Sequence, residues 1–247
     1  ETRTACILVA TSGDTGKAAL DGFHDVPGTK IMVYYPVDGV SPMQKLQMAT
    51  QEGANVEVIA IHGNFDDAQS AVKRIFTDDE TRAQLDRDGM MLSSANSINW
   101  GRLAPQIAYY VSAYCDMVKA GTIRQGDKIN VCVPTGNFGN ILAAYIAKQM
   151  GLPVNKFICA SNRNNVLTDF FKKDGEYNRN RDFYTTTSPS MDILISSNLE
   201  RLLFFASDFD DRMVAELMAK LNGEGSYKVA SDVFAKIAAD FDAGCCD

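Results

Sequence analysis

At 247 residues, 46% of them hydrophobic and 22% charged, the chain can bury one large core or two modest ones. A formal net charge of −7, with the 24 Lys and Arg residues scattered, speaks against a nucleic-acid or anionic-membrane surface. No apolar run approaches the roughly 20 residues of a membrane span and no basic-then-apolar signal opens the chain, so a soluble, cytoplasmic protein is expected.

Residues 7–20 read as strand, tight turn and helix. Gly13 and Gly16 permit a sharp turn, and Thr11, Ser12, Asp14 and Thr15 set hydroxyls, a carboxylate and backbone amides at the helix start. That geometry suits an anion. Two nucleotide readings fail on spacing. A P-loop needs Gly where Thr11 stands and Ser or Thr where Ala18 stands, and a dinucleotide fingerprint needs a further Gly before Gly13-x-x-Gly16. An ordinary strand-to-helix turn stays open.

Further along, residues 30–35 form a strand stopped by Pro36, and Ser41-Pro42 fits the cap and first position of a helix ending by Gly53. Residues 55–61 make a third strand, 65–85 one helix, and Met90 begins a fourth strand. Strands alternating with helices imply a parallel sheet with right-handed crossovers. The polar stretch 93–100 follows that strand, where ligands gather, and a long helix over 102–120 comes next. Residues 121–127 look like a boundary, so the expected domains are 1–125 and 126–247. Past it, a strand (128–133), a turn (134–140), a helix (141–150) and a strand (156–160) restart the pattern. Residues 161–190 suggest a long polar surface excursion, followed by helices over 197–205, 210–221 and 227–240.

The six cysteines lack Cys-x-x-Cys spacing; Cys6, Cys132 and Cys159 sit in apolar segments and read as reduced core residues. With only His24 and His62 available, no metal site is expected. The second glycine-rich turn, Gly136-Asn-Phe-Gly-Asn140, lets backbone amides converge on one phosphate as a nest, each charge-assisted bond contributing on the order of 1.5–3 kcal/mol. A turn whose glycines serve only packing remains the alternative. Two anion-binding helix starts in one molecule suggest a ligand with two anionic ends.

Four stretches together resemble threonine synthase, within the type II fold of pyridoxal-phosphate enzymes: Ala10-Thr-Ser-Gly-Asp-Thr-Gly16, Asn96-Ser-Ile-Asn-Trp100, Pro134-Thr-Gly-Asn-Phe-Gly139, and Ser188-Pro-Ser-Met-Asp-Ile193 with Ser197-Asn-Leu-Glu-Arg-Leu-Leu203. The resemblance implies two three-layer α/β/α domains with largely parallel sheets, pyridoxal 5'-phosphate as cofactor, and conversion of the small-molecule substrate O-phospho-L-homoserine, with water, to L-threonine and phosphate. It implies that Thr11, Ser12, Gly13, Asp14 and Thr15 cradle the substrate carboxylate. Gly136, Asn137, Phe138, Gly139 and Asn140 would hold the cofactor phosphate. Asn96, Ser97, Asn99 and Arg102 would bind substrate, Arg102 clamping its phosphate. Relatives that make cysteine carry Asn at the place of Asp14, facing the cofactor's ring oxygen; a carboxylate there repels a phenolate unless a proton is shared.

The chain also departs from the family pattern. The Schiff-base lysine belongs to a Phe-Lys-Asp-type motif upstream of the first strand, and the residue at the pyridine nitrogen lies in a segment beyond residue 247. The expectation is therefore a central fragment, truncated at both ends, inactive alone, and prone to self-associate through apolar faces that flanking segments would cover. Another type II lyase or synthase, or a non-catalytic ligand-binding or folding module, are the alternatives.

Overall fold

The computed structural model describes residues 3–11 and 13–246. The chain divides into two compact units, Glu1–Asn99 with Thr187–Asp192, and Trp100–Thr186 with Ile193–Asp247.

In the first unit an all-parallel sheet has the order β3-β2-β1-β4, from β1 (Thr4–Ala10), β2 (Thr29–Pro36), β3 (Val56–Ile61) and β4 (Met90–Ser94). Helices α1 (Asp14–Phe23) and α2 (Pro42–Ala49) pack on each other, as do α3 (Phe65–Thr77) and α4 (Asp79–Arg87). The crossovers to β2 and β3 run one way and the return to β4 runs the other, so right-handed connections put these pairs on opposite faces. Ile7, Val9, Leu20, Ile31, Val33 and Met48 fill the core between sheet and helices. The sequence pattern gave one helix over 65–85. Asp78 splits it: its extended backbone ends α3, while its side chain accepts the Glu80 N–H and caps α4.

The second unit begins with α5 (Trp100–Lys119), which packs along α6 (Gly139–Gln149). The expected boundary at 125/126 therefore moves to Asn99/Trp100. Tyr114, buried on α5, accepts the Gly126 N–H at 2.9 Å and donates to the Asp127 carbonyl at 3.1 Å, tying the loop after the helix back onto it. A parallel sheet of order β5-β6-β9 joins β5 (Ile129–Pro134), β6 (Val154–Ser161) and β9 (Phe241–Cys245). The 161–190 region holds more structure than its polarity suggests: α7 (Val166–Lys172) lies on β6 and β9, and β7 (Glu176–Asn178) pairs antiparallel with β8 (Ser226–Lys228). Helices α8 (Leu199–Ala206), α9 (Asp211–Glu224) and α10 (Ser231–Asp240) complete the unit. All six cysteines are free. Cys6 and Cys159 are buried as expected, whereas Cys132 is exposed because β5 is an edge strand with one face partly open. No helix of the described residues is long and apolar enough to cross a membrane.

Candidate functional site

In each unit a glycine-containing turn follows the first strand at the carboxyl end of the sheet and leads into a helix. In the first unit the turn leaves β1 after Ala10. Thr11 is buried and its Oγ1 accepts two amides, Gly13 N–H at 2.9 Å and Gly16 N–H at 2.8 Å, folding the turn around one hydroxyl. Gly13 has φ of 140°, a conformation glycine tolerates, and a Cβ there would overlap the side-chain amide of Gln44. A Cβ on Gly16 would meet Thr11, Val33 and Met48. Asp14, the first residue of α1, is exposed, and its carboxylate accepts from Gln44 Nε2 at 2.6 Å. Gln44 also closes a capping box with Ser41 at the start of α2. Ser12 lies outside the described residues; Thr15 is half-buried in the first turn of α1.

The β4 end stands beside this turn. Asn96 is buried, and its side chain replaces a strand partner: Oδ1 accepts the Ala10 N–H at 3.0 Å and Nδ2 donates to the Ala10 carbonyl at 2.7 Å. This prolongs the β1–β4 ladder beyond the Leu8–Ser94 pair. Asn99 donates from Nδ2 to the Ser94 carbonyl at 2.7 Å, and Ser97 lies half-buried between them. Asn96 thus places the end of β1, a positional task that its sequence context did not announce.

In the second unit the turn leaves β5 after Pro134. Phe138 takes a left-handed conformation, φ 65° and ψ 1°, at the cap of α6. That costs a non-glycine residue roughly 1–2 kcal/mol. The cost is offset by the ring, which is fully buried against the stacked pair Phe171 and Phe241 at centroid distances of 6.2 and 5.8 Å. The cap residue Phe138 offers no side-chain hydrogen bond to α6, while Asn140 Oδ1 accepts the Ile141 N–H at 2.9 Å. The Asn140 side chain turns back onto the turn, accepting from Thr135 Oγ1 at 2.6 Å and donating to the Pro134 carbonyl at 3.0 Å.

The carbonyl side of this turn is held by a segment the sequence analysis left out of the site. Ser196 Oγ donates to the Gly136 carbonyl at 2.7 Å, and Asn198 donates its backbone N–H and its Nδ2 to the Asn137 carbonyl at 3.0 and 2.9 Å. Ser197 Oγ reaches Asn137 Oδ1 at 3.3 Å. Tyr177 supports the segment, accepting the Ser196 N–H and donating to the Leu194 carbonyl. From α5, Tyr110 donates to the Asn140 carbonyl at 2.8 Å, and burial pushes its phenol up to about 12. Arg102, in the first turn of α5, is partly buried, and that burial lowers its pKa against an opposing effect of Tyr109.

No family model matches the chain. It is 47% identical over 247 residues to threonine synthase-like 1 of Homo sapiens, covering 97% of this chain and 33% of that protein. It is 37% identical over 250 residues to threonine synthase of Saccharomyces cerevisiae, covering 98% and 47%. Among solved structures, the PLP-bound threonine synthase from Brucella melitensis superposes with a TM-score of 0.83 at 41% identity, over 98% of this chain and 50% of that one. Over nearly its whole length the chain is homologous to members of the threonine synthase family. It has the type II pyridoxal-phosphate fold of that family, in the layered parallel-sheet form expected. It spans between a third and a half of the length of these threonine synthase relatives.

Proposed function

We propose that the chain carries the cofactor-phosphate loop and the substrate-binding turns of an enzyme that converts O-phospho-L-homoserine and water to L-threonine and phosphate. The observation that carries this reading is the turn at residues 135–139. Its Gly136 and Asn137 carbonyls are bound by Ser196 and Asn198, its Phe138 is left-handed, and the cap residue of α6 offers no side-chain acceptor, Asn140 Oδ1 taking the Ile141 N–H. Carbonyls drawn to one side and amides of the turn left facing the helix start make a concave donor set that fits a phosphate dianion. Gly136, Asn137, Phe138 and Gly139 would hold that phosphate through backbone N–H groups, with Asn140 shaping the turn.

Pyridoxal phosphate, when bound, supplies the electron sink that makes proton removal from the substrate carbons accessible. The chain's own residues bind and orient. Amides and hydroxyls of the turn formed by Thr11, Ser12, Gly13 and Thr15 would take the substrate carboxylate, with Asp14 beside them and Asn96 fixing where β1 delivers them. Ser97 and Asn99 would bind substrate, and Arg102 would clamp its phosphate. A cation in the first turn of a helix opposes the helix dipole, and burial further disfavours its charge. A bound dianion offsets both.

No described lysine stands on either turn. Lys17, nearest in sequence to the first, donates to Asp21 and Gln51. We therefore expect this chain alone to bind the cofactor without a covalent link. Mixing it with pyridoxal phosphate and reducing with borohydride should give no stoichiometric adduct; a single modified lysine would contradict this. For the activity, the full-length protein should release phosphate from O-phospho-L-homoserine as threonine forms, and Arg102→Gln should raise KM at least about tenfold, the loss of one charge-assisted contact. A full-length protein that leaves this substrate untouched would overturn the reading.

A further inference from the structure

Gln44 lies on α2, thirty residues from the first turn, and belongs to none of the stretches that mark the family. Three observations converge on its side-chain amide. Its Oε1 accepts the Ser41 N–H at 3.2 Å while Ser41 Oγ accepts the Gln44 N–H, also at 3.2 Å, which closes the capping box. Because Oε1 is used as an acceptor, Nε2 is the atom left to face α1, and it donates to Asp14 Oδ1 at 2.6 Å. The same amide fills the space beside Gly13, where any Cβ would overlap it.

We propose that Gln44 is a positioning residue for the first turn: it anchors the Asp14 carboxylate and covers the Gly13 peptide, so that the start of α2 sets the shape in which the turn meets its anionic ligand. The assignment deepens the carboxylate-binding role proposed for this turn and rests on it. A capping box by itself needs only an acceptor at this position, which Glu supplies as well as Gln. The donor half of the amide is what reaches Asp14, so glutamine specifically is required. Among the described residues that hydrogen-bond the Gln44 side chain, Asp14 is the charged one; Lys17, the nearest cation on α1, is turned to Asp21 and Gln51.

The anchor also settles how Asp14 is presented. Its Oδ1 is held by a neutral donor, and the backbone of Gly13 and Asp14 is braced from the α2 side. Shape and charge at the turn are thus set by a residue that does not itself belong to it.

Replacing Gln44 by Glu separates the two roles. The capping box survives, but a carboxylate then faces the Asp14 carboxylate across a hydrogen-bond distance, and the pair must share a proton to stay close. The folded state of this variant holds that proton to higher pH than the unfolded chain does. Its stability relative to wild type is therefore kept at acid pH and lost as pH rises. In the full-length protein loaded with pyridoxal phosphate, Gln44→Glu should melt with wild type near pH 4 and about 2 °C or more below it near pH 7. Asp14→Asn/Gln44→Glu, in which an amide again faces a carboxylate, should abolish that pH dependence. Binding of L-threonine, followed through the cofactor absorbance, should weaken at least about tenfold near pH 7 in Gln44→Glu and recover toward pH 5.

A melting difference that does not vary with pH would overturn the anchor. A pH-dependent melt with unchanged L-threonine affinity would overturn the positioning role and leave Gln44 as a helix cap. Failure of the wild type to bind L-threonine would instead count against the carboxylate reading of the turn, while the melting series still decides the anchor.

Discussion

The two glycine turns do the same topological job by different physical means. The first, after β1, is organised by side chains: Thr11 gathers the amides of Gly13 and Gly16, Gln44 braces Gly13 and Asp14, and Asn96 holds the end of the strand. The second, after β5, is organised by a buried aromatic ring and by backbone carbonyls engaged by Ser196 and Asn198. A turn set by hydrogen bonds between polar side chains adjusts its shape when a neighbour changes. A turn nailed by a core phenylalanine does not. The rigid design suits a group that stays bound, and the adjustable one suits a group that arrives and leaves.

The comparison can be broken most sharply at Phe138. Phe138→Ala removes a fully buried ring packed against Phe171 and Phe241 while leaving the left-handed backbone to a residue that dislikes it, so urea unfolding should show a loss of about 3–5 kcal/mol. A loss near zero would mean that the ring does not hold the turn. Asn96→Ala strands the buried N–H and carbonyl of Ala10, and a loss of about 2–3 kcal/mol is expected in the same measurement. If the first turn is the adjustable one, this variant should also change its proteolysis pattern near residue 10, and Phe138→Ala should not.

A smaller effect is expected at Tyr110. Burial raises its phenol from the ordinary 10.0 to about 12, so the folded state keeps the proton where the unfolded chain has lost it. The wild type should therefore lose stability as pH climbs from about 10 to about 12, and a Tyr110→Phe variant should lack that component of the alkaline loss. At neutral pH the missing bond to the Asn140 carbonyl should cost about 1 kcal/mol. Matching alkaline profiles for the two proteins would show that the phenol is more solvated than its surroundings imply.

Much of the first unit was legible in the sequence because local signals and tertiary packing agree there. Ser41-Pro42 marks the start of α2, and Ile7 to Ala10 is a buried strand. The alternation of strands and helices predicts the parallel sheet. What escaped was set by distant contacts. Asp78 divides α3 from α4 by capping, where hydrophobic spacing sees one amphipathic run. Strand β9 hides in Phe241-Asp-Ala-Gly-Cys245, a stretch with too few apolar residues to stand out until β6 pairs with it. The chain passes to the second unit at Trp100 because of how α5 packs on α6, which no composition shift announces.

The site divides in the same way. The glycines and hydroxyls of both turns are visible because strand, turn and helix adjoin in sequence. Ser196 and Asn198 act about sixty residues away from the carbonyls they hold, and Gln44 thirty residues away from Asp14, so spacing carries no trace of them. A polar residue that is fully buried, as Asn198 is, would have been a useful signal, but burial is not readable from one sequence.

The central claim, that the turn after β5 is a phosphate site built from backbone, is tested most directly by titrating this chain with inorganic phosphate in a calorimeter, wild type beside Gly139→Val. Gly139 is buried at the start of α6, and a branched side chain there would crowd the approach of an anion. The account predicts one phosphate bound by the wild type and an affinity at least about tenfold weaker in a variant that still melts cooperatively, a loss of about 1.4 kcal/mol or more. Equal affinity for phosphate in the two folded proteins would contradict it.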